Sequence, residues 1–171
     1  MLLGLGLLYV GAVLILNGIW LLGHIQDKEI WVINFFTGGL VLLIALYTAF
    51  DAASDRLAVF AAAQFLLFSF TYIWVGIDRF INADGRGLGW FCLFVSITAV
   101  PIAITTLTGS DAVIWLGLNW SAWAVLWFLY WVLLALGKAQ LTRFSGAFTI
   151  VVGILTGWLP GYLLLSGVLS V

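Results

Sequence analysis

Residues 119–131 read NWSAWAVLWFLYW, and this stretch governs how the rest of the chain is read. Trp120, Trp123, Trp127 and Trp131 recur at i, i+3, i+7 and i+11. At about 100° per residue, the four indoles fall in a stripe roughly 80° wide on one helical face and climb about 16 Å along it. That rise is about half the hydrocarbon thickness of a bilayer. Tryptophan at a membrane interface sits at headgroup level, which accounts for one or two of the four but not for a ladder through the apolar zone. Two readings stay open at this point. The ladder is a packing seam between helices, or it is the wall of a path for something that favours flat aromatic faces.

The flanking sequence shows that the ladder lies in a bilayer. Of 171 residues, 65% are hydrophobic and only 8% are charged, which excludes a soluble globular domain. Apolar runs of about 20 residues recur at 2–23, 30–50, 57–77, 88–108, 112–136 and 144–167. The first, MLLGLGLLYVGAVLIL, lacks a basic leader and a small-residue cleavage site, so it is read as a span. The expectation is an all-α integral membrane protein, residues 1–171 forming a single six-helix transmembrane domain. The links HIQDKE, DAASDR, DRFINADGRG, GSD and GKAQLTR are short, so successive helices should be antiparallel neighbours, forming three hairpins in series. Lys28, Arg79, Arg86, Lys138 and Arg143 fall in odd links and only Arg56 in an even one. The positive-inside rule then puts the odd links in the cytoplasm and both termini outside.

The missing residues exclude whole classes of chemistry. All seven acids and all six basic residues fall in links or at span ends. Ion-coupled pumps, proton relays and voltage sensors use ionisable groups at membrane depth, so none of these is expected. His24 is the sole histidine and Cys92 the sole cysteine, too few for a metal or haem ligand set, so no cofactor is expected. No histidine or lysine is placed to activate a serine, so the chain is not read as an enzyme. A net charge of −1 gives no reason to expect nucleic acid as a partner. What remains inside the spans is neutral polarity, including Asn17, Asn34, Gln64, Ser69, Thr71, Tyr72, Asn119, Thr149 and Thr156. Many such groups join helices to one another. Others could partner a small uncharged solute, for which entering hydrocarbon unpartnered costs about 4–8 kcal/mol per amide. The residues thus favour a passive route for a small neutral solute over a structural or sensory membrane protein without transport.

Longer strings carry a resemblance. LLYVGAVLILNGI, NFFTGGL, FSFTYIWVGI, GWFCLFVSITAVP, WAVLWF and GILTGWLPG, one in each span and in order, resemble the AmiS/UreI family of urea and amide channels. The resemblance implies three helical hairpins with a pore within each protomer, a homo-hexamer with lipid in its central hole, and residence in the bacterial cytoplasmic membrane. It implies urea and short-chain amides as solutes. By motif it assigns the pore to Leu14 in the first string, Phe70, Tyr72 and Trp74 in FTYIW, Trp123, Leu126 and Trp127 in WAVLW, and Val152 just before GILT. It favours the path over the seam for the ladder, with Trp120 and Trp131 left as residues that could face neighbours. Two departures point away from the acid-gated urea branch and towards the amidase-linked one. Val152 precedes GILT where the acid-gated protein has a glutamate, and DAASDR is short where that protein has a long histidine-bearing loop. An acid-responsive urea channel is therefore the alternative, and a channel indifferent to acid the expectation.

Overall fold

The structure, a computed structural model, describes residues 1–51 and 55–170. Five helices come first: α1 (Leu2–Leu21), α2 (Asp27–Asp51), α3 (Arg56–Ile81), α4 (Arg86–Thr108) and α5 (Ile114–Leu134). A sixth span, Ala139–Leu165, is composite. It consists of α6 (Thr142–Val152), a π-helical turn (Gly153–Trp158) and α7 (Leu159–Leu165). All six spans are long and apolar enough to cross a membrane. No strand occurs among the described residues. A helix satisfies its own backbone groups, which hydrocarbon demands.

Helix ends follow local chemistry. Asp55 caps α3, its Oδ2 accepting from the Ala58 N–H at 3.0 Å. Three residues of the DAASDR link, 52–54, lie outside the described residues. At its other end α3 runs four residues past the expected stop. Asn82 there adopts the left-handed conformation (φ 55°), and the Ala83 N–H closes on the Asp78 carbonyl at 2.8 Å. Asp78 and Arg79 therefore belong to the last turn of the helix and not to the link.

The closest pairs are α2 with α3, α4 with α5, and α1 with the sixth span. Two of these pairs are hairpins closed by short links, and the third brings the two ends of the chain together. Small residues decide this pairing. A Cβ on Gly157 would meet the Cα of Gly11 at 2.5 Å, so α1 and the sixth span touch backbone to backbone. On Gly89 a Cβ would meet the Ala135 nitrogen at 2.6 Å, which holds α4 equally close to the end of α5. Hydroxyls fasten the same seams: Ser69 Oγ donates to the Gly38 carbonyl (2.9 Å) and Ser96 Oγ to the Ala124 carbonyl (2.8 Å).

Pro160 lies two residues past the end of the π turn. It has no N–H for the Thr156 carbonyl four residues back. That carbonyl instead accepts from Asn119 Nδ2 of α5 at 3.0 Å. Broad apolar surfaces remain on the outside of the bundle, with Phe36, Leu43, Phe60, Trp90, Phe94 and Ile97 all exposed.

Candidate functional site

Because successive helices are antiparallel, α1, α3 and α5 all begin at the face that holds Met1. Two cavities lie between these three helices. The wider, about 200 Å³, is near that face. It is bordered by Leu3, Gly6, Leu7 and Val10 of α1, Gln64 and Phe65 of α3, and Leu116 and Trp120 of α5. The narrower, about 40 Å³, lies deeper and has room for only a few waters. Its wall is made by Leu14, Asn17 and Trp20 of α1, Thr71, Tyr72 and Val75 of α3, Leu88 and Cys92 of α4, and Leu126, Trp127 and Tyr130 of α5.

Phe68 and Trp123 border both cavities and separate them. Their rings stand edge to face with centroids 4.8 Å apart and planes at 82°. Phe68 meets Trp127 at 4.8 Å and Trp120 at 5.8 Å, so one phenyl ring touches three rungs of the ladder. Edge-to-face aromatic pairs hold their geometry with about 0.5–1.5 kcal/mol beyond burial, which makes the constriction a defined shape.

The polar ends of two wall residues, Trp123 and Tyr130, are turned into the sixth span. Trp123 Nε1 donates to Thr156 Oγ1 at 2.8 Å, and that hydroxyl donates onward to the Val152 carbonyl at 2.6 Å. Seven residues along each helix the arrangement repeats. Thr149 Oγ1 donates to the Ser145 carbonyl at 2.6 Å, so the Tyr130 hydroxyl 3.1 Å away is the donor to Thr149. The hydrogens of both aromatics are thus consumed, and their faces are what the cavities meet. Among the described residues, no aspartate, glutamate, lysine, arginine or histidine borders either cavity. Charge appears at the deep end, where Trp20 Nε1 donates to Asp27 Oδ1 (2.6 Å) and the Arg79 guanidinium sits 5.6 Å from the Trp20 ring centre.

Of the residues assigned by motif, the structure brings Leu14, Tyr72, Trp123, Leu126 and Trp127 to one cavity. Phe70 and Trp74 are placed differently, on the outside of α3, 47% and 37% exposed. The string FTYIW cannot line a path as a block: each lies about 160° around the helix from Tyr72. Trp74 stacks on Phe91 instead, 5.6 Å between centroids. Val152 is buried in the apolar core and borders neither cavity. The ladder also divides. Trp120 and Trp123 face the wide cavity, Trp123 and Trp127 the narrow one, and Trp131 lies apart against Trp90 and Phe128. The motif assignment missed Phe68. Its signal was periodicity, since residues 61, 64, 65, 68, 71, 72 and 75 form one helical stripe.

A six-helix membrane bundle that encloses two aromatic-walled cavities has the architecture of a membrane channel or transporter. The chain belongs to the AmiS/UreI family: residues 2–168 match the AmiS/UreI family transporter. It is 41% identical to an amidate substrates transporter protein of Mycolicibacterium smegmatis, over 96% of this chain and 76% of that one. It is 36% identical to the acid-activated urea channel of Helicobacter pylori, over 95% and 96% of the two chains. The cryo-EM structure of the H. pylori urea channel in its closed state superposes with a TM-score of 0.88 at 35% identity, covering 98% of this chain and all of that one. The crystal structure of that organism's urea channel gives 0.84 at 37%, covering 96% and 97%. The family consists of transporters and channels, not enzymes.

Proposed function

We propose that this protein is a passive channel for urea and short-chain amides such as acetamide, and that external acid does not open it. The observation that carries this reading is the narrow cavity. Its wall offers aromatic faces, the Asn17 amide and the Tyr72 hydroxyl, and no charge. Flat neutral molecules with a few hydrogen-bonding groups match such a wall, and ions find nothing there to replace their water. The relative at 41% identity is named for amidate substrates, which supports the amide side of the solute range. Leu14, Tyr72, Trp123, Leu126 and Trp127 form the constriction, with Phe68 added to them. Residues 1–171 act as one channel domain in the bacterial cytoplasmic membrane with both termini outside, by the distribution of basic residues. The exposed apolar faces are covered by lipid and by neighbouring copies in a hexamer, the assembly the family resemblance implies. The test is solute-driven swelling of proteoliposomes, which should be faster than that of empty liposomes for urea and acetamide and unchanged for sodium. Equal rates with and without protein for both amides would leave only a structural or sensory role.

A further inference from the structure

We propose that the Asn17 carboxamide is the hydrogen-bonding station for the solute carbonyl in the narrow cavity, and that Asn34 is the residue that orients it. The inference rests on the channel reading above and adds the groups that recognise the solute.

Asn17 of α1 and Asn34 of α2 form a reciprocal amide pair inside the membrane. Asn17 Nδ2 donates to Asn34 Oδ1 at 3.1 Å, and Asn34 Nδ2 donates to Asn17 Oδ1 at 2.7 Å. Asn34 Nδ2 also donates to the Ile30 carbonyl at 2.9 Å. That third bond settles which way both amides face. A carbonyl oxygen only accepts, so the Asn34 atom beside it is the nitrogen. Asn34 then presents its oxygen to Asn17, and the Asn17 atom opposite must be a nitrogen. Neither amide can flip without setting two acceptors against each other.

The inventory of hydrogens follows. Asn34 is fully buried and both its N–H groups are used. Asn17 has donated one N–H and keeps the second, together with a free lone pair on Oδ1. Its side chain borders the narrow cavity. Three other donors of that wall are committed: Trp123 to Thr156, Tyr130 to Thr149 and Trp20 to Asp27. Thr71 gives its proton to the Leu67 carbonyl at 2.7 Å. Asn17, the Tyr72 hydroxyl and the Trp127 indole N–H are left, and of these only Asn17 is held in a fixed direction by a second side chain. A solute with a carbonyl flanked by an NH₂ matches Asn17 and Tyr72, accepting from the amide and donating to the phenol oxygen. Pairing with Asn34 also explains how an amide stays at membrane depth. Alone, Asn17 would carry the full desolvation of both its polar atoms.

The test uses the full-length protein in proteoliposomes, comparing permeation of urea with that of thiourea, whose sulfur is a weaker acceptor. In Asn17→Leu the urea-to-thiourea ratio should fall about fivefold, the worth of one neutral hydrogen bond. Asn34→Leu leaves Asn17 in place but unoriented. It should lower the ratio in the same direction, and lower it no further in the Asn17→Leu background, because the two act as one unit. A general packing defect would instead add. Assembled Asn17→Leu with a ratio within about twofold of the parent overturns the proposal. So does an Asn34→Leu effect that persists undiminished in the double variant. If Asn17→Leu does not assemble, Asn17→Ala read by the same ratio decides. A parent protein that passes neither solute refutes the channel reading itself, which separates that failure from this one.

Discussion

The Trp123 indole N–H and the Thr156 hydroxyl meet at 2.8 Å across the seam between α5 and the sixth span. Three features of the sequence converge on that contact. Pro160 frees the Thr156 carbonyl, Asn119 takes that carbonyl one turn before Trp123, and the π turn carries Thr156 between them. π turns of this kind are common at functional sites. Thr156 thereby fixes the edge of the indole whose face separates the two cavities.

Thr156→Val keeps the shape but removes the acceptor, leaving a buried indole N–H unpaired at a cost of about 1–3 kcal/mol. The detergent-solubilised protein should unfold at lower temperature, and the ratio of urea to acetamide permeation should change. Thr156→Ser should restore both. A valine variant with parental stability and ratio would show that the contact does not hold the ring.

Phe68→Ala should merge the cavities and raise flux for solutes larger than acetamide. Trp123→Ala and Trp127→Ala should loosen selectivity in the same direction. Removing a buried aromatic costs about 3–5 kcal/mol, so assembly is monitored alongside by size-exclusion chromatography. Phe70→Ala and Trp74→Ala serve as controls: each should leave the selectivity ratio unchanged. A changed ratio in the controls with none in Phe68→Ala would reverse the assignment of the α3 face.

Val152→Glu places a carboxyl in the apolar core, where Val152 is 3% exposed. A charged residue at the centre of a span costs about 2.5–3.5 kcal/mol even on the lenient insertion scale. The expected result is a loss of assembled protein. Well-assembled protein with a shifted urea-to-acetamide ratio would put this position on the path after all.

Orientation is checked by cysteine labelling. Ser110 lies in the link before α5 and Asn82 in the link after α3, at opposite faces, and both are exposed. Native Cys92 is buried and gives little background. An impermeant maleimide applied to intact cells should label Ser110→Cys and not Asn82→Cys. The opposite pattern would invert the protein in the membrane.

Lowering external pH from 7.5 to 5 should change flux by less than about twofold. Histidine is the side chain that ordinarily changes charge in this window. His24 lies in the first link, on the face of Arg79 and Arg86 and opposite Met1. On that same face the Arg86 backbone N–H and then its guanidinium hold the Asp84 carboxyl below the usual carboxylate range. A depressed carboxyl stabilises the fold above its unfolded value and loses that contribution only as pH falls through the folded one. Both lie under about pH 4, so this contribution is intact across the window. A closed-to-open switch from 1:99 to 99:1 needs about 5.5 kcal/mol, which requires several coupled groups. A several-fold rise in flux abolished by Asp51→Asn would identify a sensor on the Met1 face.

The sequence by itself determined the number of spans, their antiparallel order and the absence of charge at their centres. These are properties of composition and of link length, and hydrocarbon imposes them on any chain. It also determined the ladder, since 3.6-residue periodicity in residues 119–131 needs no partner. Helix pairing was decided only by tertiary structure, because Gly11, Gly89 and Gly157 are read as contact points only once a particular backbone lies against each. The same holds for the wall of the path. Phe68 and Phe70 are both phenylalanines in an apolar run, and the rotation of α3 alone puts one between the cavities and the other outside. Asn17 and Asn34 are likewise two neutral polar residues in the sequence. Only packing makes them one oriented pair, because a buried amide takes its direction from whatever acceptor it meets.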